Sequence, residues 1–294
     1  MDVTSRIKRL IELLPGIYVQ RRTFLRFLAT TPLGRLLTGI AAAGGVASTI
    51  YLDLARVDVS RGVDSGRGQA EEVFLPYPRL RGSASLEEAI AHRRSVREYT
   101  DEPITLEELA QLLWAAYGIS EVRYGLRTAP SAGAQYPLEL YTVVGTRGVQ
   151  TRDGYLAEGI YHYSPHRHSV VLRRRGDFRK ELYHAALEQE WVLRAPISLV
   201  FTAVYERTTR VYGERGRVRY VPMDLGHAAQ NVYLQATALG LGTVAVGAFY
   251  DEDVAQILQL PPWETPLYIM PVGRPTKRYR ITEEELIRYF NRHR

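Results

Sequence analysis

The order of its apolar runs constrains this chain more than any other feature. Strand-like runs fall at residues 138–144, 159–163, 169–172, 197–205, 243–246 and 267–272, but helix-period segments separate only some of them. The first three follow one another directly, the last two of these joined by a short Pro/His turn as in a hairpin. A parallel doubly wound sheet needs a helical crossover between successive strands, so this order argues against one. It predicts an α+β sandwich: a central, mostly antiparallel sheet flanked by helices, with no internal repeat.

The helices announce their own starts. Ser85 with Glu88, Thr105 with Glu108 and Thr282 with Glu285 each have the capping-box spacing, which predicts helices from about 86 to 94, 106 to 117 and 282 to 292. In the second of these, Leu106, Leu109, Leu112, Leu113, Ala116 and Tyr117 recur at helical spacing and Gly118 closes it. Further helices are predicted over 178–193, over 222–239 with Gly240 as its stop, and over 251–260.

The N-terminal 1–55 reads as a separate segment. Gln20-Arg21-Arg22-Thr23-Phe24-Leu25-Arg26 looks like a twin-arginine export signal and is followed by a Gly/Ala-rich apolar run over 36–54. Export, or retention as an uncleaved membrane anchor, is the expected localisation, with a cytoplasmic protein as the alternative. Residues 56–82 read as a linker that is Gly-rich near 60–70, and 83–294 as the functional domain.

Composition narrows the chemistry. With no Cys in the chain, disulfides, thiolate nucleophiles and Cys-ligated metal centres are excluded, so redox activity requires a bound cofactor. The seven His show no metal-ligand spacing, and no metal site is expected. Although the net charge is +6, the basic residues are dispersed, which does not favour a nucleic-acid partner.

Four local patterns carry the functional reading. Arg93, Arg94, Ser95 and Arg97, with Tyr99 behind them, put three guanidiniums and a hydroxyl within five residues, a set suited to a phosphate ester; a solvated basic helix end is the bland alternative. Ala129-Pro130-Ser131-Ala132-Gly133-Ala134-Gln135-Tyr136-Pro137 is a loop of small residues that lets backbone approach a planar ring, or else a plain turn. Tyr212-Gly213-Glu214-Arg215-Gly216 precedes Asp224, His227, Gln230 and Asn231 at the head of the long helix, where a lone His is more often structural than catalytic. Gly240-Leu241-Gly242-Thr243 leads through Val246 to Gly247 and Ala248, and Gly273-Arg274-Pro275 closes the domain.

Together these patterns resemble the nitroreductase family over about residues 83–276. The resemblance implies FMN held in a homodimer interface, a ping-pong reaction on a small-molecule substrate, and NAD(P)H as a candidate electron donor. In an exported protein, a quinone or secreted substrate becomes the more natural partner. It further implies that Arg93 and Ser95 meet the phosphate and ribityl chain, that Arg94 also belongs to the FMN-binding set, that Arg97 lies near the pyrimidine side, and that Arg274 supports the phosphate. Pro130, Ser131, Ala132, Gly133 and Ala134 would line the ring, and a backbone N–H of Gly247 or Ala248 would face N5.

The form Pro-Ser-Ala-Gly-Ala, with Ala134 where Asn is usual, and the Asp224…Asn231 pattern are similar to the SagB-type dehydrogenase branch, which oxidises peptide-derived rings. That branch's azoline oxidases carry Lys-Tyr where this chain has Val211-Tyr212, and Val has no proton to exchange. Tyr212 is therefore the candidate catalytic residue. A peptide-tailoring dehydrogenase and a non-catalytic flavin-binding protein stay open as alternatives.

Overall fold

The computed structural model describes residues 71–294. The twin-arginine motif, the apolar run after it and the Gly-rich stretch near 60–70 lie outside the described residues. Among the described residues, no helix is long and apolar enough to cross a membrane.

Strands β1 (Glu72–Phe74), β2 (Leu138–Val144), β3 (Gly159–Ser164), β4 (Ser169–Arg175), β5 (Ile197–Ala203), β6 (Gly242–Thr243) and β7 (Thr265–Gly273) form a seven-stranded sheet. Its order is β1-β4-β3-β2-β5-β7-β6, and every neighbouring pair is antiparallel. The helices are α1 (Leu86–His92), α2 (Leu106–Tyr117), α3 (Arg179–Ala185), α4 (Glu190–Arg194), α5 (Glu206–Tyr212), α6 (Val221–Ala238), α7 (Asp251–Leu258) and α8 (Glu283–His293). The expected α+β sandwich, a largely antiparallel sheet flanked by helices, is what the chain forms.

The three capping boxes are all made, with Ser85, Thr105 and Thr282 each accepting from the backbone of the Glu three positions on. Strand β5 shows why both faces of the sheet must be covered, since all seven of its residues are buried. Leu199 and Phe201 point into a core shared with α2 and α6, whereas Val200 joins the opposite core against α3, α4 and α7. On α6 the buried positions Val221, Asp224, Leu225, Ala228, Ala229, Val232 and Ala236 recur every three or four residues, so one stripe lies flat against the sheet.

Four local expectations change. The helix predicted over 178–193 is two short helices, α3 and α4, because Leu187 (φ 56°) and Glu188 (φ 57°) adopt the left-handed conformation between them. The strand predicted over 243–246 shrinks to Gly242–Thr243, with a single bridge from Val246 to Ile269 beyond it. The run predicted to be a strand from 197 to 205 ends at Ala203, after which α5 and a π-helical turn over Gly216–Tyr220 lead into α6. Finally, Glu72–Phe74, in the stretch read as linker, adds the edge strand β1. Three residues are too few for an alternating pattern to show.

Replacing Phe201, which is fully buried in the most enclosed strand, should test this core. Phe201→Ala is expected to lower unfolding stability by about 3–5 kcal/mol, read from the urea midpoint with an unchanged m-value.

Candidate functional site

The chain leaves α1 through Arg93, its C-cap, and the next residues dock on the start of β6. Val96 N–H donates to the Thr243 carbonyl at 2.9 Å, and Ser95 bridges Thr243 in parallel. Above this junction Tyr233, from the middle of α6, ties two patterns together. Its hydroxyl lies 3.2 Å from Ser95 Oγ and accepts from Ala245 N–H at 2.8 Å. The Arg93 guanidinium lies over the Tyr233 ring at 5.2 Å. Tyr99 locks the loop from beneath, donating to the carbonyls of Val96 (2.7 Å) and Pro271 (3.1 Å), and burial keeps its phenol firmly protonated.

A cavity of about 370 Å³ opens beside this loop. Arg94, Ser95 and Arg97 form one wall, while Lys277, Arg278 and Arg280 from the segment after β7 form the other. The Arg94 guanidinium stacks on Tyr279 at 3.5 Å and Arg97 faces Trp191 at 5.3 Å, so both cations are oriented by aromatic faces. Gly240, with φ 74°, lets the chain pass the Arg278 guanidinium; a Cβ there would stand 2.7 Å from Nη2. Lys277, Arg278 and Arg280 were not singled out from the sequence. The signal was present as a Lys-Arg-x-Arg run one residue after Gly273-Arg274-Pro275.

A second cluster forms at the other end of α6. Ser131 Oγ donates to Asp224 Oδ2 at 2.5 Å and accepts from Tyr136 N–H at 2.9 Å. Burial pushes the Asp224 carboxyl above its ordinary value of 3.8, against hydrogen bonds from Ser131 and the Ala132 backbone that favour the ionised form. Gly133 (φ 60°), Ala134 (φ 54°) and Tyr136 (φ 48°) all take left-handed backbone, an unusual concentration in one short loop. The Tyr212 hydroxyl lies against Gly133, where a Cβ would be only 2.5 Å away.

Buried charge props this loop from behind. Arg207 donates to the Tyr136 carbonyl at 3.1 Å and pairs with Glu139 at 2.5 Å, and Glu139 also meets His162 at 2.8 Å. Burial alone would raise the Glu139 carboxyl, but hydrogen bonds from His162 and Arg207 outweigh it and draw it down to about 2. Arg127 lies between the rings of Tyr117 (4.3 Å) and Tyr136 (4.8 Å), and its backbone N–H donates to the Tyr136 hydroxyl.

The predicted residues thus gather into two groups. Arg94, Ser95 and Arg97 line the cavity beside β6, with Arg93 over the Tyr233 ring and outside the cavity lining, while Ser131, Ala132, Gly133 and Ala134 assemble with Asp224 and Tyr212. Pro130 is exposed at the entrance to that loop. Gly247 and Ala248 are exposed just beyond Val246, with the Ala248 carbonyl held by Gln189 Nε2 at 2.9 Å. Arg274 turns elsewhere: its guanidinium pairs with Glu102 at 3.3 Å and Glu108 at 3.1 Å. Among the described residues there is no His, Asp and Glu group that could hold a metal ion.

The nitroreductase family model matches residues 90–274. A Methanocaldococcus jannaschii protein assigned by name to the nitroreductases is 54% identical over 207 residues, covering 70% of this chain and 98% of that protein. Among solved structures, one described as a nitroreductase from Ralstonia eutropha superposes with a TM-score of 0.61 at 29% identity, covering 72% of this chain and 93% of the other. A Bacillus subtilis FMN reductase that uses NAD(P)H is 24% identical over 203 residues, or 65% of this chain and 66% of that protein.

Two substitutions probe the Ser131 cluster. A raised folded-state pKa means that Asp224 is a stability penalty that builds as pH climbs above 3.8 and is complete once the folded carboxyl has ionised. Asp224→Asn keeps an acceptor for Ser131 and removes that penalty, so its urea midpoint relative to wild type should be higher at pH 7 than at pH 4. Ala134→Gly, at a left-handed position, should stabilise the fold by about 1 kcal/mol in the same assay.

Proposed function

Because the chain belongs to the nitroreductase family, we propose that this oxidoreductase depends on FMN, works as a homodimer and passes electron pairs from a donor such as NAD(P)H to a small organic acceptor. The observation that carries the reading is the cavity between Ser95 and Arg280. Its guanidinium and ammonium groups match a phosphate dianion, and its volume suits a phosphate with part of a ribityl chain. Bound flavin would supply the redox chemistry itself.

The chain's own residues do the rest. Arg94, Arg278 and Arg280 neutralise the phosphate, and the Ser95 hydroxyl, held by Tyr233, is placed to hydrogen-bond the ribityl chain. Arg97 adds positive charge where a reduced ring gathers negative charge. Arg274 supports this half of the site at one remove, because its pairing with Glu108 secures the head of α2. The loop Pro130–Ala134, left-handed at Gly133 and Ala134, offers backbone and small side chains to a flat ring, with Tyr212, the candidate proton-exchanging group, beside it.

Asp224 and Tyr233 are nine residues apart on α6, so the two clusters are separated by about 13 Å of helix. A twofold dimer can place the Pro130–Ala134 loop of one chain over the phosphate half of the other. Helix α8 supports this, since Ile287, Tyr289 and Phe290 each remain about half exposed in a single chain.

Purified full-length protein should be yellow, release FMN on denaturation and elute as a dimer. The Arg94→Ala/Arg278→Ala double variant should weaken FMN binding by about tenfold or more, with the far-UV spectrum intact. Full flavin occupancy in that variant at sub-stoichiometric FMN would falsify the phosphate-site assignment. Anaerobic NADH or NADPH should bleach the flavin band.

A further inference from the structure

The segment over 206–220 carries Arg207, Arg210, Arg215, Arg217 and Arg219 against only Glu206 and Glu214. Arg207 is committed to Glu139 and the Tyr136 carbonyl. The remaining arginines follow a different logic, because the segment is tied to the ring-facing loop through aromatic contacts. Tyr212, whose hydroxyl rests on Gly133, meets Tyr220 edge to face at 4.9 Å. Arg215 Nε donates to the Tyr220 hydroxyl at 3.0 Å, so its guanidinium stands one ring away from Tyr212. Arg217 stacks on Tyr205 at 4.3 Å.

Between these arginines the backbone forms a π-helical turn, Gly216–Tyr220, an irregularity that costs helical hydrogen-bond geometry and recurs at functional sites. The turn sets Arg215, Arg217, Val218 and Arg219 all toward the surface. Val218 is 65% exposed, and Met223 in the first turn of α6 is 51% exposed. From Tyr212 to Met223 the segment thus exposes apolar side chains interspersed with guanidiniums, following the candidate proton-exchanging tyrosine in the chain, a composition that an amphiphilic anion can match.

We propose that this Tyr212–Met223 cap selects the acceptor: it binds a molecule with a flat apolar body and an acidic group, the body lying on Tyr212, Val218 and Met223 and the acid paired with Arg215 and Arg219. The inference rests on the flavin reading above and specifies the substrate class of that same site. Carboxylate, sulfonate and phosphate share the required chemistry, because the planar guanidinium presents paired donors that match two oxygens of any of them. A neutral body of the same shape would retain the apolar contact and lose the charged one.

The test uses the flavin-loaded full chain and two near-isosteric probes, 4-nitrobenzoate and 4-nitrobenzamide. Calorimetry on the oxidised protein should give the acid an affinity about tenfold higher than the amide at low salt, with the ratio falling as sodium chloride is raised. Reoxidation of photoreduced protein by the two probes should show the same preference. In Arg215→Ala/Arg219→Ala the acid-to-amide ratio should fall to about one, while Arg215→Lys, which keeps the charge, should retain part of it. Equal affinities in the wild type, or an undiminished ratio in the double alanine variant, overturns the proposal. Protein that carries no flavin counts against the cofactor reading, whereas flavin-loaded protein without the preference counts against the acidic acceptor alone.

Discussion

Strand β5 is enclosed on both faces, and the rest of the domain follows from that requirement. A strand whose every side chain is buried needs a layer of helices above and another below. One layer is α2 with α6; the other is built from α3, α4 and α7. Because α6 lies flat on the sheet, its polar residues cannot all reach water, and several of those turned inward find protein partners. Asn231 donates to the Ala115 carbonyl at 3.0 Å, Asp224 accepts from Ser131, and Gln235 accepts from Gln111 at 3.2 Å. Each of these bonds pins another segment to the helix.

The two ends of α6 consequently acquire different chemistry. At its C-terminal end, Thr237 and Gly240 line the cavity with Arg94, Arg278 and Arg280. Arg94 also follows directly on the end of α1, where it donates to the carbonyls of Ala91 and Arg93 at 3.1 and 2.6 Å. Helix C-termini carry partial negative charge, which eases the mutual repulsion of so many cations in the absence of an anion. At the N-terminal end the Asp224 carboxylate performs the opposite service, holding a loop by accepting hydrogen bonds from it.

That loop illustrates how strain is supported. Left-handed backbone at Ala134 and Tyr136 is unfavourable by about 1 kcal/mol or more at each position. It persists because Asp224, Arg207, Arg127 and Glu139 hold the surrounding groups by hydrogen bonds and ion pairs. The loop presents small residues and backbone at the surface, with Gly133 and Ala134 exposed and Tyr212 set by its contact with Gly133.

What the sequence by itself determined was local or strictly periodic. The three capping boxes are contacts between residues three apart, and strand β2 runs over 138–144 as its apolar pattern required. The family resemblance, too, was legible in short contiguous motifs. Tertiary structure decided what depends on distant partners. It broke the helix over 178–193 at Leu187 and Glu188, and it recruited a three-residue strand through pairing with β4. It turned Arg274 toward Glu102 and Glu108 and brought Lys277, Arg278 and Arg280 to face Arg94. A guanidinium reaches whichever acid or cavity the fold sets within a few ångströms, and residues more than 180 positions apart become neighbours only when the sheet closes between them.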